Sequence, residues 1–288
     1  MRDNLVIPTL AALLAFNSGC LGCSGKGSGG DFGNEAGTGS DSETGTDSEA
    51  DADSGTDVLD WVVLDGGVYD MGSPDGVGDT DERPRHTVEI RTFRMWRTEV
   101  TVGQYDACVQ AGVCTSTPIQ DFCDPTTPDH LDAPRDCVDW NQAAAFCHWV
   151  EGRLPSEAEW EFAARSRGRD IAFPWGNEPV TCERAVVDQG GLGCGKGDHW
   201  PVCSKPFGNS AQGLCDLAGN VWEWVEDTYH ESYDGAPDDG SAWVDPGAEF
   251  RVLRGGGIGS PGCTFRASDR MFHDPGFEYG GLGFRCAR

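Results

Sequence analysis

The chain has 288 residues, and its 48 acidic side chains outnumber 21 lysines and arginines to give a formal net charge of −27. Nucleic acids and anionic membrane surfaces bind basic faces, so this charge excludes both as partners. The 13 cysteines and 41 glycines favour an exported, disulfide-linked domain that is rich in loops.

Residues 1–23 have the pattern of a signal peptide with a lipoprotein-type cysteine. The apolar run Leu5–Phe16 is too short to span a bilayer as a mature helix but has the length of a signal-peptide core. Small residues precede Cys20, which we expect to carry a lipid and to anchor the protein to a membrane. Because Asn17 takes a position where such sites prefer an aliphatic residue, Cys23 stays open as the anchor, and so does secretion without a lipid.

Residues 24–57 are predicted to form a disordered acidic tether. They contain nine acidic side chains, one lysine and almost no large apolar residue, so burial cannot offset the entropy of ordering the chain. Their glycine, serine, threonine and aspartate content is typical of a flexible, self-repelling spacer. Residues 58–288, with 38 acids against 19 lysines and arginines, are interpreted as one domain.

The clearest local predictions in this domain are two helices. Across Asp139–Val150, small and apolar side chains recur every three or four residues and form one apolar face. Ser156 precedes Glu159 with the spacing of a capping box. The second helix is therefore predicted over about Glu157–Arg167.

The rest of the domain shows only short β-type runs between clusters of glycine, proline and aspartate. These runs include Trp61–Leu64, Thr87–Ile90 and Arg251–Leu253. We therefore expect an α+β fold that is loop-rich, has little regular secondary structure and is stapled by disulfides.

Eleven cysteines lie beyond the two candidate anchors, which leaves one over from any set of pairs. Short loop closure suggests four bonds, although sequence alone does not fix connectivity. The four suggested bonds are Cys108–Cys114, Cys123–Cys137, Cys182–Cys194 and Cys203–Cys215.

An ordered series of short motifs spans nearly all of residues 58–288. The series is Asp65-Gly66-Gly67, Met71-Gly72-Ser73, Asp81-Glu82-Arg83-Pro84 with His86, Glu99-Val100-Thr101 through Tyr105, Val138-Asp139-Trp140, Arg153-Leu154-Pro155-Ser156-Glu157-Ala158-Glu159-Trp160-Glu161, Phe173-Pro174-Trp175-Gly176-Asn177, Gly219-Asn220-Val221-Trp222-Glu223-Trp224, Arg254-Gly255-Gly256, Arg266 with Arg270, and Gly283-Phe284-Arg285-Cys286. In order and content it resembles the formylglycine-generating enzyme family, also called the sulfatase-modifying factor family.

The resemblance implies a variant of the C-type-lectin-like fold, in agreement with the α+β expectation. It also implies one long-range disulfide, because Cys147 and Cys286 match a bonded pair of the family. A second family disulfide would fall on Ala164 and Ala267, where both cysteines are missing together.

The activity of the family depends on two cysteines that this chain lacks at the matching positions. Formylglycine-generating enzymes oxidise a substrate cysteine with molecular oxygen at copper held by two thiolates, and soft thiolates select Cu(I). Counted from Arg254, the family's two positions fall on Ser260 and Phe265. A gapped alignment could place Cys263 at the second position, which restores one thiol at most. We therefore expect neither bound copper nor formylglycine synthesis.

Two groups of residues in this region keep alternative interpretations. Cys263 is either a weak candidate for a reactive catalytic thiol or a member of a disulfide. Four arginines either line an anion-accepting pocket or form buried salt bridges with carboxylates. These arginines are Arg254, Arg266, Arg270 and Arg285.

A calcium site is predicted at Asn220, Val221 and Glu223. An amide oxygen, a backbone carbonyl and a carboxylate within four residues suit a hard cation, and the resemblance implies a structural calcium ion at this turn. The alternative is a hydrogen-bonded turn without metal. At the family's second calcium site the chain has Val186 and Val187 nearby, so we expect that site to be lost or remodelled.

Two classes of function remain open from the sequence. The first is a non-catalytic binding or structural module, which we expect to be a monomer. In this case the protein is a tethered lipoprotein that displays the module in the periplasm or at the cell surface. Its ligand would be a surface protein or a glycan of unknown identity. The second is an oxidoreductase of the same family that modifies a protein cysteine or another substrate. The missing thiol pair favours the first class.

Overall fold

We analysed a computed structural model, which describes residues 60–118, 123, 127–260 and 262–288. The predicted signal peptide, the anchor candidates Cys20 and Cys23, and the acidic tether lie outside these residues. Among the described helices, none is long and apolar enough to cross a membrane. In chain order the helices and strands are β1 (Trp61–Leu64), β2 (Gly67–Met71), β3 (His86–Ile90), β4 (Phe93–Trp96), α1 (Val102–Gln110), α2 (Trp140–Trp149), α3 (Glu157–Ala164), β5 (Trp222–Thr228), β6 (Arg251–Arg254), β7 (Met271–His273) and β8 (Leu282–Phe284).

The strands form three small sheets, which confirms the α+β, loop-rich expectation. Strands β1 and β4 pair antiparallel, and so do β2 and β3. The largest sheet has the order β7-β6-β5-β8, with β5 and β8 parallel and the other pairs antiparallel. Long loops connect these elements and carry most of the motifs in the series above.

Both predicted helices are present, each with a capping box. The Asp139 side chain caps α2 by accepting from the Gln142 amide at 2.7 Å. In α3, the Ser156 hydroxyl accepts from the Glu159 amide at 3.1 Å, and the Glu159 carboxylate accepts from the Ser156 amide at 2.9 Å. Helix α3 ends before the predicted Arg167 because Ser166 and Arg167 adopt positive φ values of 49° and 67°.

Helix α1 was not predicted from the sequence, although its start carries a recognisable signal. The Thr101 hydroxyl accepts from the Gln104 amide, and the Gln104 side chain accepts from the Thr101 amide. This is a capping box formed with glutamine in place of glutamate. The helix buries Val102, Tyr105 and Cys108, which are spaced three residues apart on one face.

Helix α3 is buried on every side, although three of its eight residues are glutamates. Buried carboxylates persist only when cations or hydrogen-bond donors satisfy them. Glu157 pairs with Arg270, and Glu161 pairs with both Arg165 and Arg254. Burial acts to raise the pKa of Glu161, but these two guanidinium groups outweigh it and hold the pKa below its usual range.

Five disulfides join described cysteines, and they include all four bonds suggested by short loop closure. The fifth joins Cys147 of α2 to Cys286 near the end of the chain, the bond that the family resemblance implies. Ala164 and Ala267, at the positions of the missing family disulfide, are both buried in the main hydrophobic core. Apolar packing thus replaces a covalent bond there.

Replacing both Cys147 and Cys286 by serine is expected to cost more stability than replacing Cys108 and Cys114. The first bond closes a loop of 139 residues and the second a loop of 6, which corresponds to about 5 and about 2 kcal/mol in the loop-entropy model. All four cysteines are buried, so the pairs are matched for the cost of the new hydroxyls. Urea unfolding of the two double variants measures the difference, and equal losses would contradict the expectation.

Candidate functional site

The loop that follows β6 carries the positions at which the family resemblance predicts two copper-binding cysteines, and its two ends are fixed by one guanidinium group. Arg254 donates from Nη1 to the carbonyl oxygens of Ser268 at 2.9 Å and Asp269 at 2.6 Å. Its Nη2 donates to the Ala267 carbonyl at 2.8 Å. Residues 255–266 therefore leave and return to the same buried charge.

The first turn of this loop requires its two glycines. Gly255 and Gly256 have φ values of 96° and 79°, which other residues rarely adopt. A Cβ atom on Gly256 would lie 2.6 Å from the Phe265 ring. The Arg-Gly-Gly motif thus shapes the loop whatever residues follow it.

Ser260, at the family's first cysteine position, stabilises the turn in which it lies. Its hydroxyl oxygen accepts from the Gly257 amide at 3.0 Å and from the Trp222 indole nitrogen at 3.1 Å. The Ser260 amide in turn donates to the Gly257 carbonyl at 2.9 Å. Since both lone pairs of the hydroxyl accept a hydrogen bond, this side chain serves a structural purpose.

Phe265, at the family's second cysteine position, is a core residue. Its side chain is 1% exposed and forms a small hydrophobic cluster with Ala185, Val187 and Ala218. Phe173 and Trp175 pack against the same cluster. A position that would carry a thiolate in the active enzymes instead contributes apolar packing.

Of the two interpretations of Cys263, the structure favours membership of a disulfide over a reactive thiol. This cysteine is buried and disulfide-bonded. A sulfur held in a disulfide is neither a nucleophile nor a copper ligand, because both roles need the thiolate. Together with Ser260 and Phe265, it leaves the loop without the thiolate pair.

The four arginines form buried salt bridges, which confirms the second of their two interpretations. Arg254 pairs with Glu161, Arg270 with Glu157, Arg266 with Glu82, and Arg285 with Glu223. Their charges are therefore neutralised by carboxylates of the protein itself.

The predicted calcium ligands belong to a turn that packs against Glu99. The Asn220 side chain donates to the Glu99 carboxylate at 2.8 Å, and its oxygen accepts from the Trp200 amide at 3.1 Å. The Val221 amide donates to Glu99 at 3.2 Å. The Asn220 side chain is thus committed to two neighbours.

Glu223 is held by a guanidinium group on the other side of this turn. Arg285 donates to both of its carboxylate oxygens at 2.7 Å, and the Trp160 indole donates to one of them at 2.9 Å. Glu223 and Arg285 are both fully buried. This bidentate pair joins β5 to the residue that follows β8, the edge strand of the largest sheet.

Carboxylates outnumber cationic side chains around Glu99 and Glu223. The residues involved are far apart in the sequence, so their spacing could not reveal this. Burial, together with the carboxylates of Asp216 and Glu223, raises the pKa of Glu99 well above its usual range. Burial also raises the pKa of Asp216 to about 6, although the Cys203 amide and Arg285 act against it. Three buried carboxylates therefore share the charge of Arg285, with Lys205 near Asp216 as a weaker partner. Oxygen ligands with unbalanced negative charge fit a hard cation such as Ca²⁺.

These features define a class of protein: a disulfide-linked α+β domain with small sheets and long loops, in which a glycine-rich loop is held by buried arginines. A model of the sulfatase-modifying factor enzyme 1-like domain matches residues 46–288. The chain belongs to this family.

Its relatives include active and inactive members. The chain is 30% identical over 280 residues to the formylglycine-generating enzyme of Thermomonospora curvata, covering 78% of this chain and 92% of that enzyme. It is 38% identical over 170 residues to the mouse inactive C-alpha-formylglycine-generating enzyme 2, covering 55% of this chain. That match spans only half of the mouse protein.

Solved structures show the same fold. PvdO from Pseudomonas aeruginosa superimposes with a TM-score of 0.70 and 32% identity, covering 79% of this chain and 93% of PvdO. The Treponema denticola variable protein 1 superimposes with a TM-score of 0.64 at 23% identity and shows similarity of fold alone.

Proposed function

We propose that this chain is a non-catalytic binding module on the formylglycine-generating enzyme scaffold. The observation that carries the proposal is the loop after β6, where a hydrogen-bonded serine and a buried phenylalanine take the two cysteine positions. Copper oxidation in this family needs two thiolates that can approach one Cu(I) ion. The similarity to a mouse relative described as inactive supports the same conclusion.

The full chain is expected to convert no cysteine-bearing sulfatase peptide to formylglycine and to bind no Cu(I) tightly. Mass spectrometry of the peptide and a competition titration with a Cu(I) chelator measure the two properties. The enzyme of Thermomonospora curvata provides the positive control. Conversion by this chain that disappears in Cys263→Ser would contradict the proposal and support an oxidoreductase.

A structural calcium ion forms part of the proposal. The predicted ligands Asn220, Val221 and Glu223 would hold it, and the ion would balance the charge of the buried carboxylates, including that of Asp216. The ion would supply charge compensation alone, because Ca²⁺ has no redox chemistry.

Calcium is expected to raise the melting temperature at pH 7 relative to chelator, since a ligand of the folded state stabilises it by mass action. Asp216→Asn should remove most of this shift. Asp227→Asn is a matched control, because Asp227 is also buried with a raised pKa but lies beside Glu157, away from this turn. The same melting temperature with calcium and with chelator would exclude a structural ion.

Display outside the cytoplasm completes the proposal. The disulfides are compatible with an oxidising, extracytoplasmic compartment. The segment before the domain supports a membrane-anchored lipoprotein, periplasmic or at the cell surface, with Cys20 as the lipidated residue. The tether would hold the domain away from the membrane to meet a partner.

Metabolic labelling with palmitate in a bacterial host should label the full chain, and Cys20→Ala should abolish the label. Cys23→Ala is the matched control and should keep it. If Cys23→Ala alone loses the label, the anchor is Cys23. If the wild-type chain stays unlabelled and soluble, the protein is secreted without a lipid.

A further inference from the structure

An open cleft of about 440 Å³ lies on the surface of the domain, and no residue of the loop after β6 is among those that line it. It is lined by Trp175, Glu178, Glu183, Arg184 and Phe207. Volumes of several hundred Å³ are typical of sites that bind small ligands or single side chains. Two aromatic rings and three charged groups thus converge on one concave surface.

Phe207 is exposed to solvent in a turn that cannot easily rearrange. Its side chain is 74% exposed, although it belongs to the short 3-10 turn Pro206–Gly208. A Cβ atom on Gly208 would lie 1.7 Å from the Arg184 carbonyl oxygen, so the turn packs backbone against backbone. The Cys203–Cys215 disulfide anchors the segment that leads into it. A side chain on a backbone turn that is already ordered loses less conformational entropy when a ligand covers it.

Trp175 also forms part of the wall of the cleft, and its indole nitrogen already has a hydrogen-bond acceptor. The indole nitrogen donates to the Glu178 carbonyl at 3.0 Å, and the ring stacks on Phe173 with centroids 5.2 Å apart. Both rings pack against the cluster that contains Phe265. The residue at the family's second cysteine position therefore belongs to the core that supports this wall.

The charges of the cleft favour a cation. Glu178 and Glu183 are exposed carboxylates, and Arg184 donates to the Pro179 carbonyl at 3.4 Å. With Arg184 counted, the lining keeps one net negative charge, and the domain around it has 38 acids against 19 lysines and arginines. Aromatic faces attract cations through their quadrupole, whereas an anion would meet two carboxylates.

We propose that this cleft binds a lysine or arginine side chain of a partner protein. The proposal rests on the function proposed above, since it gives the binding module a site and a partner chemistry. The aliphatic part of such a side chain would pack between Phe207 and Trp175, and its charged end would meet Glu178 and Glu183. The acidic surface of the domain would draw the basic segment towards the cleft.

The test is fluorescence anisotropy of a labelled, cysteine-free peptide with three lysines or arginines, titrated with the full chain at physiological salt. A peptide with glutamine at the three positions is the control ligand. Phe207→Ser and Glu183→Gln should each weaken binding of the basic peptide by about three- to tenfold. Phe250→Ser and Glu249→Gln make the same chemical changes at exposed positions outside the cleft and should leave binding unchanged.

Three results would overturn the inference: no binding of the basic peptide, equal binding of the glutamine peptide, or equal loss in the cleft and control variants. The last result would indicate general attraction to an acidic surface. Because the peptide contains no cysteine, it is no substrate for formylglycine synthesis. The anisotropy test can therefore fail even if the chain has no formylglycine-generating activity. If the chain does convert a sulfatase peptide, the anisotropy test still reports whether the cleft binds a basic side chain.

Discussion

The ion pair between Glu161 and Arg254 is the interaction on which the rest of this structure depends. Both side chains are fully buried, and their charged atoms lie 2.5 Å apart. Glu161 also accepts from the Gly72 amide, while Arg254 binds the carbonyl groups that follow the loop. Helix α3, strand β6 and the segment after β2 are thereby joined at one point. Breaking a buried pair of this kind costs about 3–5 kcal/mol, and Arg165 beside Glu161 and Glu157 beside Arg254 would offset part of that cost.

This arrangement explains how the family scaffold can persist when the residues of the loop after β6 differ from those of the active enzymes. Arg254 fixes where the loop after β6 begins and ends, so the residues between its ends can change without disturbing the sheets. At the first predicted cysteine position, the Ser260 hydroxyl accepts hydrogen bonds from two donors. At the second, the Phe265 side chain packs in a hydrophobic cluster. Each replacement suits its local environment, so the loop is a stable structural element in its present form. Different residues support the fold and would supply the activity, so the proposed loss of activity leaves the fold intact.

Much of the fold was predictable from the sequence where local interactions determine it. The capping residues Asp139 and Ser156 set the starts of α2 and α3, and short loop closure suggested four disulfides. Strand β5 could not be predicted, because it is buried on both faces and lacks the alternation that marks a half-buried strand. The pairing of Cys147 with Cys286 came from family resemblance, since nothing local links residues so far apart.

The sites illustrate the same division. Motif positions located Ser260, Phe265 and Glu223, but the fold decides which residues share a charge environment. Glu99 and Asp216 are distant in sequence from each other and act together only after folding. The cleft of Trp175 and Phe207 likewise depends on two turns that meet in three dimensions. Residue spacing in the sequence predicts a site when one segment carries all of its residues. It does not predict a site whose residues come from several segments that meet only in the folded protein.

The state of the Cys263 sulfur tests the central claim most directly, because it is the one cysteine in the loop where copper would bind. Alkylation of the native, unreduced full chain with iodoacetamide, followed by peptide mass spectrometry, reports that state. The structure predicts that Cys263 stays unmodified until a reductant is added. Complete alkylation of Cys263 without reductant would show a free thiol in this loop and would contradict the account of an inactive family member.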